Sequence, residues 1–219
     1  MPNDNLILSW AEIKLFKTIN GDSFSDFTEK KSRFITYASH VTTQSQALDF
    51  LKKIKEKHWD ATHNVYAYIL KNNQIQKYSD DGEPRGTAGI PVLNVLIKSE
   101  IYYIIVVVTR YFGGTLLGAG GLVRAYSNGC KLALQNANVI SVHLCQKLSI
   151  NFDYSLYSQI QALLSNYHYK ILNTSYSNDV TLELAVHLSS FDKLSTDLLD
   201  VTSGKIAIEK LDTLEMSLS

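Results

Sequence analysis

The sequence predicts an α+β protein of two domains, and three observations predict it. Strand-like and helical segments are interspersed along the 219 residues, with 45% apolar and 19% charged residues, the proportions of a globular chain. From Val139 onward the segments run strand–helix–strand–strand–helix–strand, the ferredoxin-like βαββαβ order. Charge changes at the same place: 16 Lys+Arg against 12 Asp+Glu through Asn138, a balance of +4, then 5 against 9, a balance of −4. The domains are therefore placed at 1–138 and 139–219.

Each element has its own signal. FTEKKSRFITYASHV (27–41) mixes β-formers with polar residues and reads as strand, with Lys30, Lys31 and Arg33 clustered in it. Thr43 and Gln46 have capping-box spacing before ALDFLKKIKEKH, where Ala47, Leu51 and Ile54 share one helical face. HNVYAYIL (63–70) reads as a strand, KNN as a turn and QIQKY as the hairpin partner. Pro91 suits a helix first turn before VLNVLI. IYYIIVVV (101–108), almost wholly β-branched or aromatic, fits a strand buried on both faces. A helix follows from about Gly120, with Leu122, Ala125, Tyr126, Leu132, Ala133 and Ala137 on its packed face. In the second domain, LCQKLSINFDY, HYKILNTSY, VTLELAVHL and KIAIEKLDTLEM read as strands, with SND (177–179) as a hairpin turn. SLYSQIQALLSNY and SFDKLSTDLLDV read as its helices, and the final TLEMSLS is expected to fray.

Several classes are excluded. No apolar run approaches the roughly 18–20 residues of a membrane span. MPNDNLILSW lacks the basic start of a secretory signal. Cys130 and Cys145 supply neither a disulfide framework nor a zinc spacing, so a reducing cytoplasm is expected. No nucleophile motif and no metal spacing such as HExxH is present, and no cofactor is expected.

Two stretches concentrate the chemistry. GGTLLGAGG (113–121) follows a buried strand and opens a helix, a geometry that turns backbone N–H groups and a helix dipole toward an anion. It is neither a Walker loop nor a dinucleotide fingerprint, because Ala119-Gly120 replace Lys-Ser/Thr and Val123 stands where the last Gly or Ala belongs. The same glycines equally suit a tight turn and close packing. Arg110 and Arg124 flank the turn and suit phosphates, and Tyr111, Phe112 and Tyr126 add stacking surface. DDGEPRGTAG (80–89) leaves three readings open. Asp80 and Asp81 hold a turn while Gly82 takes positive φ; or the carboxylates bind Mg²⁺ with substrate phosphates; or they fix Arg85, Arg110 and Arg124 in a network. His63 with Asp60 or Asp81 is a candidate acid–base pair.

Taken together, SDDGEPRGTAGIPVLNVL and VVVTRYFGGTLLGAGGLVRAY, with KKSRFI and ATHNVYAY upstream, resemble the signature of the IMPACT family over roughly residues 27–138. The C-terminal segment resembles the second domain of its bacterial members. The resemblance implies a first domain with the left-handed βαβ two-layer fold of domain IV of elongation factor G, shared with the GHMP kinases. It implies a second domain like that factor's domain V. It marks His63, Asp80, Asp81, Glu83, Arg85, Thr87, Thr109, Arg110, Tyr111, Gly113, Gly114, Gly118, Gly121, Arg124 and Tyr126 as signature positions, and no catalytic assignment comes with them. Arg85 stands where many bacterial members carry Ser, and Ile90 replaces a common Lys.

The expectation is a cytoplasmic, non-enzymatic binding protein that engages RNA or the ribosome and the translation machinery. Arg85, Thr87, Arg110, Tyr111, Gly113, Gly114, Gly118, Gly121, Arg124 and Tyr126 form its anion-binding surface, supported by His63, Asp80, Asp81 and Glu83. The alternative is an enzyme acting on a phosphorylated small molecule or nucleotide, with the same loops as its pocket. A protein partner in translational control, recruited by the acidic second domain, is a third reading.

Overall fold

The computed structural model describes residues 14–70 and 74–218. The stretch MPNDNLILSW and the KNN turn lie outside the described residues. The chain divides into two compact units, one of them Phe16–Ile140 and the other containing Ser141–Ser219.

The described chain opens with β1 (Lys14–Ile19), and the first unit continues with a hairpin of β2 (Ser23–Glu29) and β3 (Ser32–His40). The hairpin turns through Lys30 and Lys31, both at positive φ (44° and 66°), the conformation of a two-residue primed turn. Then come α1 (Gln44–Lys57), β4 (His63–Leu70), β5 (Ile75–Ser79), α2 (Gly89–Ser99), β6 (Ile104–Tyr111) and α3 (Ala119–Gln135). Their sheet has the order β2-β3-β6-β4-β5, with every neighbouring pair antiparallel. β3 and β4 thus run parallel on either side of β6, joined by α1, and β6 is the central strand that carries the site.

Strand alternation sorts the core onto two faces. Val65, Ala67, Ile69, Ile104, Val106 and Val108 pack with α2 and α3, whereas Tyr68, Leu70, Ile105 and Val107 pack with Ala47, Leu51 and Ile54 of α1. Helices therefore cover both faces, which adds a layer to the two-layer arrangement that the resemblance implied. α1 is capped as its spacing predicts, with Thr43 Oγ1 accepting from Gln46 N at 3.2 Å. On α3, Leu134 is buried, while Leu132 is only half-buried.

The second unit reads β7 (Val139–Phe152), α4 (Tyr157–Leu164), β8 (Tyr169–Tyr176), β9 (Val180–His187), α5 (Phe191–Val201) and β10 (Ile206–Met216). The strands lie in the order β8-β9-β7-β10, all antiparallel, which is the ferredoxin-like arrangement of a βαββαβ chain. Ile160, Leu164, Leu194 and Leu198 cover one face of the sheet. Within the C-terminal segment expected to fray, residues 213–216 are strand. After a bulge between Lys210 and Thr213, residues 213–216 pair with residues 143–146, and Gln146 Nε2 donates to the bulge carbonyls of Leu211 and Asp212. No helix among the described residues is long and apolar enough to cross a membrane.

Candidate functional site

The loop after β5 is closed by its own first carboxylate. Asp80 Oδ2 accepts from Gly86 N at 2.8 Å, and Oδ1 accepts from Ala88 N at 3.1 Å and Gly89 N at 2.8 Å. These are amides at and before the start of α2, so Asp80 caps that helix from a distance and complements its dipole. Asp81, at φ 45°, turns its carboxylate the other way: Oδ2 accepts from Asn64 N at 2.7 Å and Oδ1 pairs with Lys55 Nζ at 2.8 Å. Thr87 is buried and donates to Pro84 O at 2.7 Å. Both aspartates are thus engaged in holding the loop against α2, β4 and α1.

Glu83 is the hub. Its side chain is 3% exposed, and Oε1 accepts from Arg110 Nη1 at 2.6 Å and Tyr126 Oη at 2.7 Å. Register delivers the arginine, because position 110 of β6 stands between Phe34 of β3 and His63 of β4. Arg110 Nη2 donates to Ser32 Oγ at 3.2 Å, and the guanidinium lies 5.5 Å from the centroids of both Phe34 and Phe112. Its Nε is buried with no acceptor among the described residues. Burial, reinforced by the Glu83 carboxylate, pushes the Tyr126 hydroxyl well above its ordinary range, so it stays a donor. His63 completes the group: Nδ1 lies 2.8 Å from the Asp81 carbonyl oxygen and Nε2 lies 3.8 Å from Glu83 Oε2.

This geometry corrects four expectations. Arg110 and Tyr126 are 4% and 0% exposed, so the one is not a surface phosphate ligand and the other is not a stacking platform. A guanidinium that close to a carboxylate inside the fold already has its anion. Tyr111 is also elsewhere, since the next residue on a strand points to the opposite face. Its hydroxyl meets His58 Nδ1 at 2.9 Å and donates to Asp60 Oδ1 at 3.1 Å, and His58 Nε2 meets Tyr37 Oη at 2.9 Å. His63 meets the backbone carbonyl of Asp81 and, more distantly, Glu83, rather than an aspartate side chain.

The glycine turn divides by role. Gly113 is a packing glycine: a Cβ there would fall 2.0 Å from Lys31 C and O, so the β2–β3 turn rests on it. Its N–H donates to Ser32 Oγ at 3.2 Å. Gly114 and Gly118 take positive φ, 78° and 72°, and open onto free space, while Gly121 packs on Leu117. Gly118 caps α3 without a side-chain acceptor for the first-turn amides. The exposed Arg124 guanidinium folds back over that turn, with Nη1 3.7 Å from where a Gly120 Cβ would stand. Arg85 is exposed on its loop.

Two depressions flank the start of α3. One is a groove of about 530 Å³ bordered by Lys30, Gly121, Arg124, Asn128 and Lys131, with Glu29 as its acid. The other is a cleft of about 320 Å³ among His63, Glu83, Arg110, Phe112, Gly118 and Ala119. Among the described residues, no three His, Cys, Asp or Glu side chains are grouped to hold a metal ion.

Residues 30–134 match the Impact N-terminal domain, and residues 150–205 match a domain of unknown function, DUF1949. The IMPACT family member YvyE of Bacillus subtilis is 40% identical over 182 residues, which cover 83% of this chain and 84% of that protein. The chain belongs to the IMPACT family. A second IMPACT relative, YigZ of Escherichia coli, is 36% identical over 82% of this chain and 89% of its own. A crystal structure described only as a hypothetical protein superposes with a TM-score of 0.57 at 32% identity, covering 90% of this chain and 97% of that one. The Impact N-terminal match takes in every candidate site residue, from His63 to Tyr126.

Several participants of this IMPACT site escaped sequence reasoning. Ser32 receives both Arg110 and the Gly113 amide, and Asn64 receives Thr109 Oγ1 at 2.8 Å on Oδ1. Neither residue type in a strand signals a role. Lys30 and Lys131 carried the only usable hint, as cations near a basic half of the chain.

Proposed function

We propose that this IMPACT-family chain is a cytoplasmic binding protein that engages RNA of the translation machinery through the groove along α3. One observation carries the reading. Three cations, Lys30, Arg124 and Lys131, border a single open groove that begins at the uncapped first turn of α3. Backbone amides and guanidinium together suit phosphates, and Ser127 and Asn128 on the same border offer hydrogen bonds to sugars or base edges. Arg110, Glu83 and Tyr126 support the groove from inside by fixing β6 to α3. The resemblance of the two domains to neighbouring domains of elongation factor G favours a ribosomal partner.

The test is fluorescence anisotropy with structured and single-stranded RNA. Three phosphate contacts give a salt slope of about −2 to −3, so affinity falls roughly 16–64-fold between 50 and 200 mM salt. Lys30→Ala, Arg124→Ala and Lys131→Ala combined should abolish most of that slope. No binding at low salt, or binding that the triple variant retains, removes the reading.

A further inference from the structure

The sheet of the first unit leaves part of its other face open. α1 packs on β4 and β6, while β2 lies beyond it at the sheet edge. Alternation along the strands puts Phe24 and Tyr37 on this face, and Phe27 and Phe34 on the face that α3 covers. Phe24 stands directly opposite Tyr37 in the β2–β3 register. Their rings stack with 6.3 Å between centroids and 26° between planes. Tyr37 is held in place: its hydroxyl meets His58 Nε2 at 2.9 Å, and Lys57 Nζ lies 4.8 Å from its ring centroid. Phe24, on the edge strand, is 58% exposed. The stack therefore ends in an aromatic ring that a paired strand fixes and water covers.

A groove of about 460 Å³ runs beside that ring, between α1 and the β2–β3 pair. Phe50 and Ile54 of α1 extend its apolar floor, and Lys53 and Lys57 stand on its border with Asp22 as its acid. Asp22 is already engaged, accepting from Ser39 Oγ at 2.6 Å. The lysines are a separate observation from the ring. Lys52 and Lys55 of the same helix pair with Glu56 and Asp81, whereas Lys53 and Lys57 form no ion pair among the described residues. Four residues of a helix advance about 6 Å, so two flexible side chains there can meet successive phosphates of one strand. An open ring beside unpaired cations suits single-stranded nucleic acid, because every base has a flat apolar face and every nucleotide a phosphate. A duplex presents its bases already stacked on one another, closed to Phe24. A purely apolar segment would cover the ring and leave both lysines without a counter-charge.

We propose that this face is a second contact for RNA, a stacking platform for one base of a single strand. The base lies on Phe24, and the phosphates on either side of it meet Lys53 and Lys57. The platform rests on the reading that RNA is the ligand, but not on the groove along α3, which Phe27 borders on the opposite face of the sheet.

The test is fluorescence anisotropy of the full chain with a short single-stranded oligoribonucleotide, its duplex, and an abasic strand of equal length that keeps the phosphates without the bases. Phe24→Leu removes the ring and keeps an apolar residue on the strand, and Phe24→Tyr keeps the ring. Lys53→Ala with Lys57→Ala removes the cations. Circular dichroism melts establish that the variants are folded. Phe24→Leu should weaken the single strand about tenfold, within the range for one base–aromatic stack, and leave the abasic strand unchanged. Phe24→Tyr should bind as wild type does. The double lysine variant should lower the salt slope by about 1.4, the share of two phosphates of a single strand. Wild-type affinity in Phe24→Leu, or an abasic strand that binds as tightly as the base-bearing one, overturns the platform. Duplex binding that Phe24→Leu weakens equally overturns the single-strand assignment. Binding that Phe24→Leu leaves intact and the Lys30, Arg124 and Lys131 triple variant abolishes overturns the platform alone. The reverse pattern overturns the α3 groove alone and supports the platform. No RNA binding at low salt overturns both. Binding of an acidic, leucine-bearing peptide that depends on Phe24, without binding of single-stranded RNA, overturns the proposal and passes this face to a protein partner.

Discussion

Replacing Glu83 by Gln leaves the Arg110 guanidinium inside the fold with no counter-charge. The glutamine carbonyl can still accept from Arg110 and Tyr126, so the lost quantity is the charge rather than the hydrogen bonds. Both side chains of the pair are at most 5% exposed, which places them in the buried class. Removing one partner there costs about 3–5 kcal/mol, against about 0–1 kcal/mol at a surface. With a urea slope of about 2 kcal/mol per molar, the midpoint of this unit should fall by roughly 1.5–2.5 M. The two cysteines provide the assay, because Cys130 is buried in the first unit and Cys145 in the second. Burial pushes the Cys130 thiol well up, so alkylation reports unfolding. Pulsed alkylation with mass spectrometry should show the Cys130 midpoint drop in Glu83→Gln while that of Cys145 holds. Tyr126→Phe keeps the ion pair and loses one hydrogen bond to a charged group, for about 1.5–3 kcal/mol. Glu83→Gln with Arg110→Met should recover most of the loss, since an apolar pair needs no counter-charge. A Glu83→Gln shift equivalent to less than about 1 kcal/mol would refute the reasoning, because that is the cost of an exposed pair.

Three further outcomes follow from the same geometry. Asp80→Ala removes the acceptor for three amides around the start of α2 and should cost about 1–2 kcal/mol in the Cys130 urea midpoint, with Asp80→Asn intermediate. Gly113→Ala cannot be accommodated beside Lys31 and should give insoluble or unfolded protein, whereas Gly114→Ala, strained only by its positive φ, should cost about 1–2 kcal/mol and remain soluble on expression. Burial holds His40 below its usual pKa; burial and then Lys57 and Arg33 do so for His58, against Asp60. The unfolded chain therefore takes up protons first, so their contribution is intact above about pH 7 and is lost as pH falls from about 6.5 toward the depressed folded values. Urea midpoints of Cys130 should fall over that window, and less steeply in His58→Gln.

Local signals made much of the fold legible. The capping spacing of Thr43 and Gln46 marked α1, the apolar run of β6 marked the central strand, and the βαββαβ order marked the second domain. Where local signals misled, a long-range contact decided. TLEMSLS has the polarity of a frayed end, yet its first residues pair with β7 because Gln146 satisfies the bulge before them. The primed turn at Lys30-Lys31 lacks the glycine or asparagine that usually announces one, and Gly113, far along the chain, makes the room it needs.

The candidate site shows the same division. Its residue types, its loop order and its family were determined by the sequence alone. Which charges face water was not. Arg110 and Arg124 look alike as letters beside a glycine turn, but β6 sits between β3 and β4 and carries Arg110 into the core. There Glu83, 27 residues earlier, and Tyr126 fix it. Arg124 lies one turn into a helix with a solvent face and remains exposed. Charge is a property of a side chain and can be read in one dimension. Desolvation is a property of what surrounds it, and only the packed structure decides that.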